Sequence, residues 1–333
     1  MTSSIRDPRG VGCARLFAGA LTLLLSVPIV AQANERYALI VAGASGGAEY
    51  VQQYAKWTEA LSQALIEGMK FDPSRVTVLT DTPATETAAT AANVRRVLGA
   101  IRRQMTATDL LFVVLVGHGT FDGVDAKFNL VGPDLDSIAW AGLFRDLSGR
   151  VVVINTFSSS FPFIERFAGP RRIVISATDS VAQRFDTVFP EYFIGALRDE
   201  AADIDKNGRV SIWEAFAAAA GGVRRHYQQR GQLATERALL DDNGDGIGRE
   251  AAAQGEDGSL ASRTYLDVPA PDARPTDEVL VDLLQRRASL TAEVEELQIK
   301  KAFMPADEYA REFERIMLAL ARLAREIRGR MKT

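Results

Sequence analysis

Across 333 residues there is one cysteine, Cys13, and there are two histidines, His118 and His226. Cys13 lies in an N-terminal stretch with the pattern of a secretory signal. Arg6, Arg9 and Arg15 give a positive start, Leu16 to Val30 is apolar apart from small residues and Pro28, and Ala31-Gln32-Ala33 fits a small-x-small cleavage site. The apolar stretch is short for a membrane span, and retention as an uncleaved anchor is the alternative reading. Cys13 precedes the apolar core instead of following it, which argues against a lipid-attached N-terminus. Cleavage after Ala33 implies a periplasmic or secreted chain with no membrane span of its own. That chain has no thiol, which excludes disulfides and thiolate chemistry and leaves a hydrophobic core as the source of stability. Excess positive charge is lacking too. The formal charge is −4, and residues 1–33 hold three arginines and one aspartate, so their removal takes it to −6. A mildly acidic chain argues against nucleic acid as partner and is compatible with a cation such as calcium.

From Tyr37 the chain alternates between apolar runs of strand length and amphipathic segments. Tyr37–Ala42, Arg75–Leu79, Leu110–Val116, Val151–Ile154 and Arg172–Ser176 are the runs. Between them, Tyr54, Trp57, Leu61 and Leu65, then Val94, Leu98, Ile101 and Met105, recur at helical spacing. Near-continuous apolar strands separated by helices predict an α/β fold, a mostly parallel sheet with helices on both faces. Ligands of such sheets sit beyond the carboxyl ends of the strands, where His118 and the turn Thr156–Ser160 fall. The glycine turn Gly43-x-x-Gly46-Gly47 misses the spacing of a dinucleotide loop. Residues 34–266 form the expected main domain. Residues 267–275, with three prolines, have the composition of a linker, and 276–333 that of a helical hairpin or coiled coil. Phe313, Ile316, Leu320, Leu323 and Ile327 make one seam, and Leu283, Leu290, Val294 and Leu297 a looser one, with Pro305 marking the break. The seam is expected to pack within its own chain or to support self-association.

Asp203-Ile204-Asp205-Lys206-Asn207-Gly208-Arg209-Val210-Ser211-Ile212-Trp213-Glu214 matches a twelve-residue calcium loop of the EF-hand type. Asp203, Asp205 and Asn207 offer oxygens at alternate positions, and Gly208 permits the bend. Arg209 contributes its main-chain carbonyl, Ser211 acts through water, and Glu214 closes the sphere with two oxygens. Pro190–Leu197 and Ile212–Ala220 supply the flanking helices. The competing reading is an Asx-rich solvated turn. Asp241, Asn243 and Asp245 repeat the first half of the pattern over 241–252, but Ala252 stands at the twelfth position and Gly248 at the usual apolar one. A weaker second site and a plain turn both fit there.

The apolar run Leu110–Val116 ends on Gly117-His118-Gly119, and the run Val151–Ile154 opens onto Asn155-Thr156-Phe157-Ser158-Ser159-Ser160. With the turn Ala42-Gly43-Ala44-Ser45-Gly46, these segments resemble the caspase and legumain clan of cysteine peptidases, more closely its bacterial legumain-like branch. The resemblance spans about Tyr37 to Ala220 in the order of elements. It implies a caspase-like fold, in which His118 matches the catalytic histidine and Gly119 the oxyanion-hole glycine. Phe157 stands where the nucleophilic cysteine belongs, Ser159 matches the serine two places on, and Ser160 replaces the next glycine. Val51 takes the place of the basic residue that legumain members use for the substrate side chain. A strand-capping histidine with no catalytic ancestry is the plain alternative for His118, and a solvated helix position that for His226. Taken with the signal-like start and the acidic loop, the resemblance implies an exported, catalytically inactive relative that binds calcium and acts as a binding or scaffolding protein for an unknown protein or peptide. One rival is a serine-type hydrolase using Ser158 or Ser159 with His118 as base. Another is an assembly module acting through the C-terminal helices.

Overall fold

The computed structural model describes residues 34–82, 85–205, 207–253 and 257–268. Beyond these it describes Val279, Leu283, Arg286, Arg287, Leu290, Glu293, Val294, Leu297, Lys301 and 304–330. The signal-like segment with Cys13, Lys206 of the first acidic loop and most of the proline-rich stretch 267–275 lie outside the described residues. No helix among the described residues is long and apolar enough to cross a membrane.

The molecule is built on a six-stranded sheet. Strands β1 (Arg36–Ala42) and β2 (Val76–Leu79) flank helix α1 (Ala48–Gln63), and helix α2 (Ala91–Gln104) leads to β3 (Leu110–Val116). A small antiparallel sheet comes next, made of β4 (Gly119–Phe121), β5 (Ala126–Phe128) and β6 (Leu135–Asp136). Helix α3 (Ser137–Phe144), β7 (Arg150–Asn155), α4 (Pro162–Phe167), β8 (Arg172–Ser176), α5 (Phe189–Ala196), α6 (Ile212–Gln229) and β9 (Leu239–Asp241) complete the domain. The large sheet runs β2-β1-β3-β7-β8-β9, parallel throughout except for the last pair.

Alternation along the strands explains the two helical layers. Ala38, Ile40 and Ala42 face a core completed by Tyr54, Trp57 and Leu61 of α1, Phe189 and Phe193 of α5, and Phe216 and Val223 of α6. Tyr37, Leu39 and Val41 face the opposite core, filled by Val94, Leu98 and Ile101 of α2, Trp140 of α3 and Phe163 of α4. Burial on both faces is why these strands are apolar at every position. The five parallel strands and the two first helices thus lie where the sequence places them, with small differences at the ends. Arg75 closes a 3-10 turn, Pro73–Arg75, whose N-cap Asp72 accepts a 2.9 Å bond from Ser74 N, and β2 starts one residue later. Met105 leaves the α2 helix in an extended conformation and is buried nonetheless.

The C-terminal helix Ala306–Arg330 starts directly after Pro305, where a proline can enter a helix without costing a hydrogen bond. Its buried Ile316 meets Val294 and Leu297, and its buried Leu323 and Ile327 meet Leu283. Both clusters contain only residues from 283 onward, and Arg315 pairs with Glu293 across them at 3.5 Å. Among the described residues the seam is therefore covered by side chains of the same chain, the packing expected of a helical hairpin.

Candidate functional site

The strand order reverses between β1 and β3, since β2 lies on one side of β1 and β3 on the other. Such a switch opens a crevice at the carboxyl ends of the two strands. Two close approaches shape it. A Cβ on Gly43 would lie 2.1 Å from the Asn129 carbonyl, and one on Gly119 would lie 2.2 Å from the Ser158 carbonyl and 2.4 Å from the Phe157 ring. Asn129 also accepts from Ala44 N at 3.0 Å and donates its own N–H to the His118 carbonyl at 3.0 Å, so the small sheet is clamped over the strand ends.

His118 stands in this crevice with its side chain about a quarter exposed. Its Nδ1 lies 3.0 Å from Asp186 Oδ1 and its Nε2 3.0 Å from the Ser45 carbonyl oxygen. Both partners are acceptors, so each ring nitrogen must carry a proton to satisfy both contacts, and the neutral ring satisfies one. Tyr50 from α1 meets the imidazole edge-on at 4.6 Å and donates its hydroxyl to the second oxygen of Asp186. That hydrogen bond, with the charge of Asp186, pushes the Tyr50 phenol above its ordinary value. Burial does the same for Tyr54, whose ring lies 5.8 Å from the imidazole. No motif in the sequence singles out Asp186 or Tyr50. Asp186 sits in a loop of mixed composition between β8 and α5, and only the folded chain brings it to His118.

The segment after β7 is buried. Phe157 has no exposed surface and points into the α2–α4 core, packing at 4.9 Å on Phe128 and edge-on at 5.1 Å on Phe163. Ser158 Oγ donates to the Gly119 carbonyl at 3.2 Å, and Ser159 Oγ donates to the carbonyl of Val181 at 3.3 Å. Ser160 joins Ser176 and Thr178 in a buried hydroxyl cluster at 2.8 and 3.1 Å. Among the described residues neither Ser158 nor Ser159 makes a hydrogen bond to the imidazole. Val51 is half exposed on the wall of a neighbouring groove of about 380 Å³, which also holds Tyr54, Glu59 and Asp81 and, among the described residues, no basic side chain.

The first acidic loop lies between α5 and α6, the helical flanks expected from its pattern. Ligand oxygens of Asp203, Asp205 and Glu214 all lie within 4.8 Å of one another. Oxygens on opposite sides of a calcium ion are about 4.8 Å apart, twice a bond of ~2.4 Å, so the three carboxylates span one coordination sphere. Gly208 takes the bend at φ +84°. Asp203 accepts from Asn207 N at 3.1 Å and Gly208 N at 2.9 Å, which holds the loop closed. The Asn207 side chain donates to Asp205 and to the Tyr265 hydroxyl. The Arg209 guanidinium turns away over the Tyr265 ring at 4.0 Å and pairs with Asp267 at 2.7 Å, leaving the main chain of that residue to the loop. Ser211 and Glu214 form a capping box at the start of α6. Burial pushes the Glu214 carboxyl up, but bonds donated by Ser211, Asp205 and Ile204 outweigh it and hold the group below its ordinary value. The charged form of Glu214 is the one a hard cation would need, and binding it would take over oxygens that now accept from Ile204, Asp205 and Ser211.

The second acidic loop has different surroundings. Asp241 ends β9 and accepts from Gly244 N and Gly246 N at 2.9 and 3.0 Å. Asn243 and Asp245 turn their oxygens to the amides two residues on. The chain then returns to pair Arg249 with Leu240 instead of entering a helix. Gly248 is confined by Ile164, 2.5 Å from where a Cβ would be. Among the described residues, no third acidic group joins Asp241 and Asp245 as Glu214 joins Asp203 and Asp205. His226 lies half-buried on α6, with Nδ1 3.1 Å from the Tyr192 hydroxyl, so it has a partner that a solvated position would lack.

No family model matches the sequence, and no curated protein matches it. Solved structures with a similar backbone include protein GSU0716 from Geobacter sulfurreducens, 15% identical with a TM-score of 0.45 over 71% of this chain and 100% of that one. The Drosophila initiator caspase Dronc is 13% identical with a TM-score of 0.41 over 75% of this chain and 96% of its own.

Proposed function

We propose that this chain is an exported, catalytically inactive relative of the caspase and legumain clan, which binds calcium at Asp203–Glu214 and serves as a binding or scaffolding protein. The observation that carries the reading is the orientation of Phe157. At the position of the nucleophile stands an apolar side chain without a reactive atom, and it is built into the aromatic core instead of facing the crevice. His118 supports the same reading, because Ser45 and Asp186 stand at its two ring nitrogens and, among the described residues, no serine hydroxyl bonds to either. The serine-type alternative meets the same obstacle from the other side, since Ser158 and Ser159 direct their hydroxyls to main-chain carbonyls. The crevice and the adjoining groove at Val51 then serve for contact with a peptide segment of a partner.

Calcium would be held by the side chains of Asp203, Asp205, Asn207 and Glu214, the carbonyl of Arg209 and, through water, Ser211. Ligands from Asp203 and Glu214 would then tie the segment that follows α5 to the first turn of α6. Two measurements test the reading. A fluorophosphonate probe should leave the protein unlabelled, and labelling that disappears in His118→Ala would overturn the inactive assignment. Calcium should raise the melting temperature, with about 2.7 kcal/mol of stabilisation at a hundredfold excess over the dissociation constant. Glu214→Ala should remove most of that gain, and an undiminished response would move the ion elsewhere.

A further inference from the structure

At the opposite, amino-terminal end of the sheet lies a cavity of about 700 Å³, far from the crevice in the fold and unconnected with its chemistry. It is lined by the first residues of β1, β3 and β7 and by the turns that precede them. Seven basic and four acidic side chains face it, in a protein whose formal charge is −4. The acidic groups are already engaged. Glu35 pairs with Arg75 at 3.2 Å and Asp72 lies 3.9 Å from the same guanidinium. Asp267 pairs with Arg209, and Asp109 uses both oxygens to cap the main-chain amides of Glu35 and Thr106 at 2.8 and 2.7 Å.

Three cations are left with neutral partners. Arg36 donates to the carbonyls of Met69, Leu266 and Lys70. Lys70 donates to the Glu67 carbonyl and Arg171 to the Ala107 carbonyl. Among the described residues none of the three has a carboxylate within ion-pair distance. Burial lowers the Arg36 guanidinium from its ordinary value; the charge of Asp267 opposes this, and smaller effects come from Arg209, which lowers it, and Glu35, which raises it. A partly desolvated cation is stabilised by an incoming anion. Lys70 and Arg171 also share a backbone feature. Both hold φ at +59°, in the left-handed region that glycine or asparagine adopts at less cost, so a basic side chain is kept at two strained positions on one cavity.

We propose that this cavity binds a small oxyanion carrying two or more negative charges, of the phosphate-ester class. The volume suits a small molecule, and forked guanidinium donors match phosphate oxygens in pairs. The experiment is calorimetric titration of the full chain with pyrophosphate, in calcium-free buffer and against chloride of equal ionic strength. Saturable binding is expected, weakened about tenfold or more in the double variant Lys70→Gln/Arg171→Gln, whose exposed side chains can be changed without loss of the fold. An unchanged melting temperature of the ligand-free variant confirms that the lost affinity is local. Absence of saturable heat at millimolar pyrophosphate, or equal affinity in the parent and the double variant, would overturn the proposal. Sedimentation with phosphatidic acid vesicles identifies the source of the phosphate. Release from vesicles by pyrophosphate assigns it to a lipid headgroup, and binding of pyrophosphate without vesicle association assigns it to a free anion.

Discussion

Phe157→Cys puts a sulfur where the proposed ancestry would set the nucleophile, in a place where packing decides both its stability and its reactivity. The Phe157 ring is fully buried and touches Phe128 and Phe163 within the α2–α4 core. Truncating such a ring to alanine costs about 3–5 kcal/mol. The sulfur returns about one heavy atom of that packing, worth ~0.8 kcal/mol, so a loss of roughly 2–4 kcal/mol is expected. For a domain of this size each kcal/mol moves the midpoint by about 2–4 °C, which gives a fall of roughly 4–16 °C. Made together with Cys13→Ser, the change leaves one thiol in the chain. That thiol becomes its own reporter, because an aromatic enclosure withholds it from solvent. A thiol-disulfide reagent should react slowly in buffer and at full speed in denaturant, while peptide hydrolysis stays at background. Urea unfolding should show a lower midpoint at constant slope. Fast labelling of the native protein, or hydrolysis that vanishes in a further His118→Ala change, would refute the inward orientation of residue 157.

Two other outcomes rest on buried groups. Burial raises the Glu236 carboxyl above its ordinary value, although Val188 N, Tyr227 Oη and Phe189 N all donate to it. The folded state therefore holds that proton more tightly than the unfolded one, and the stability it brings is present at low pH and lost as pH rises through the elevated value. Glu236→Gln should flatten that decline in a urea series across the acidic range, and an unchanged slope would place the linked proton elsewhere. Ile316→Asp buries a carboxylate between Val294 and Leu297 and should unfold the C-terminal hairpin while leaving the main cooperative transition in place. A main transition that moves by circular dichroism would show that the hairpin and the sheet domain unfold together.

The large sheet was legible because parallel strands covered on both faces must be apolar throughout, and Leu110–Val116 can hardly be read otherwise. The small sheet was not, since β4 to β6 hold two or three residues each and alternate too briefly for a period to register. The acidic loop was legible for a different reason: its oxygens come from one short run with a glycine at the bend, so spacing alone encodes the geometry. His118 was found by its glycine neighbours, but what holds it was not. Asp186 reaches the imidazole from a loop with no pattern, and Ser45 contributes a carbonyl, which no side-chain motif records. The inward turn of Phe157 was likewise invisible, because a strand-end residue can face the crevice or the core and only the packing of Phe128 and Phe163 decides between them. The basic cavity escaped for the same reason, as its cations come singly from the ends of separate elements.

The return of Arg249 to Leu240 bears on whether the sheet can grow by taking up a strand from another molecule. In a three-residue edge strand such as β9, only the middle residue points its amide and carbonyl away from the sheet. Here that residue is Leu240, and Arg249 occupies both groups, at 2.9 and 2.8 Å. An extended segment arriving from another molecule finds no open donor or acceptor on β9 with which to begin a seventh strand. Growth of the sheet from molecule to molecule is thus blocked along this border by the turn that carries Asp241, Asn243 and Asp245.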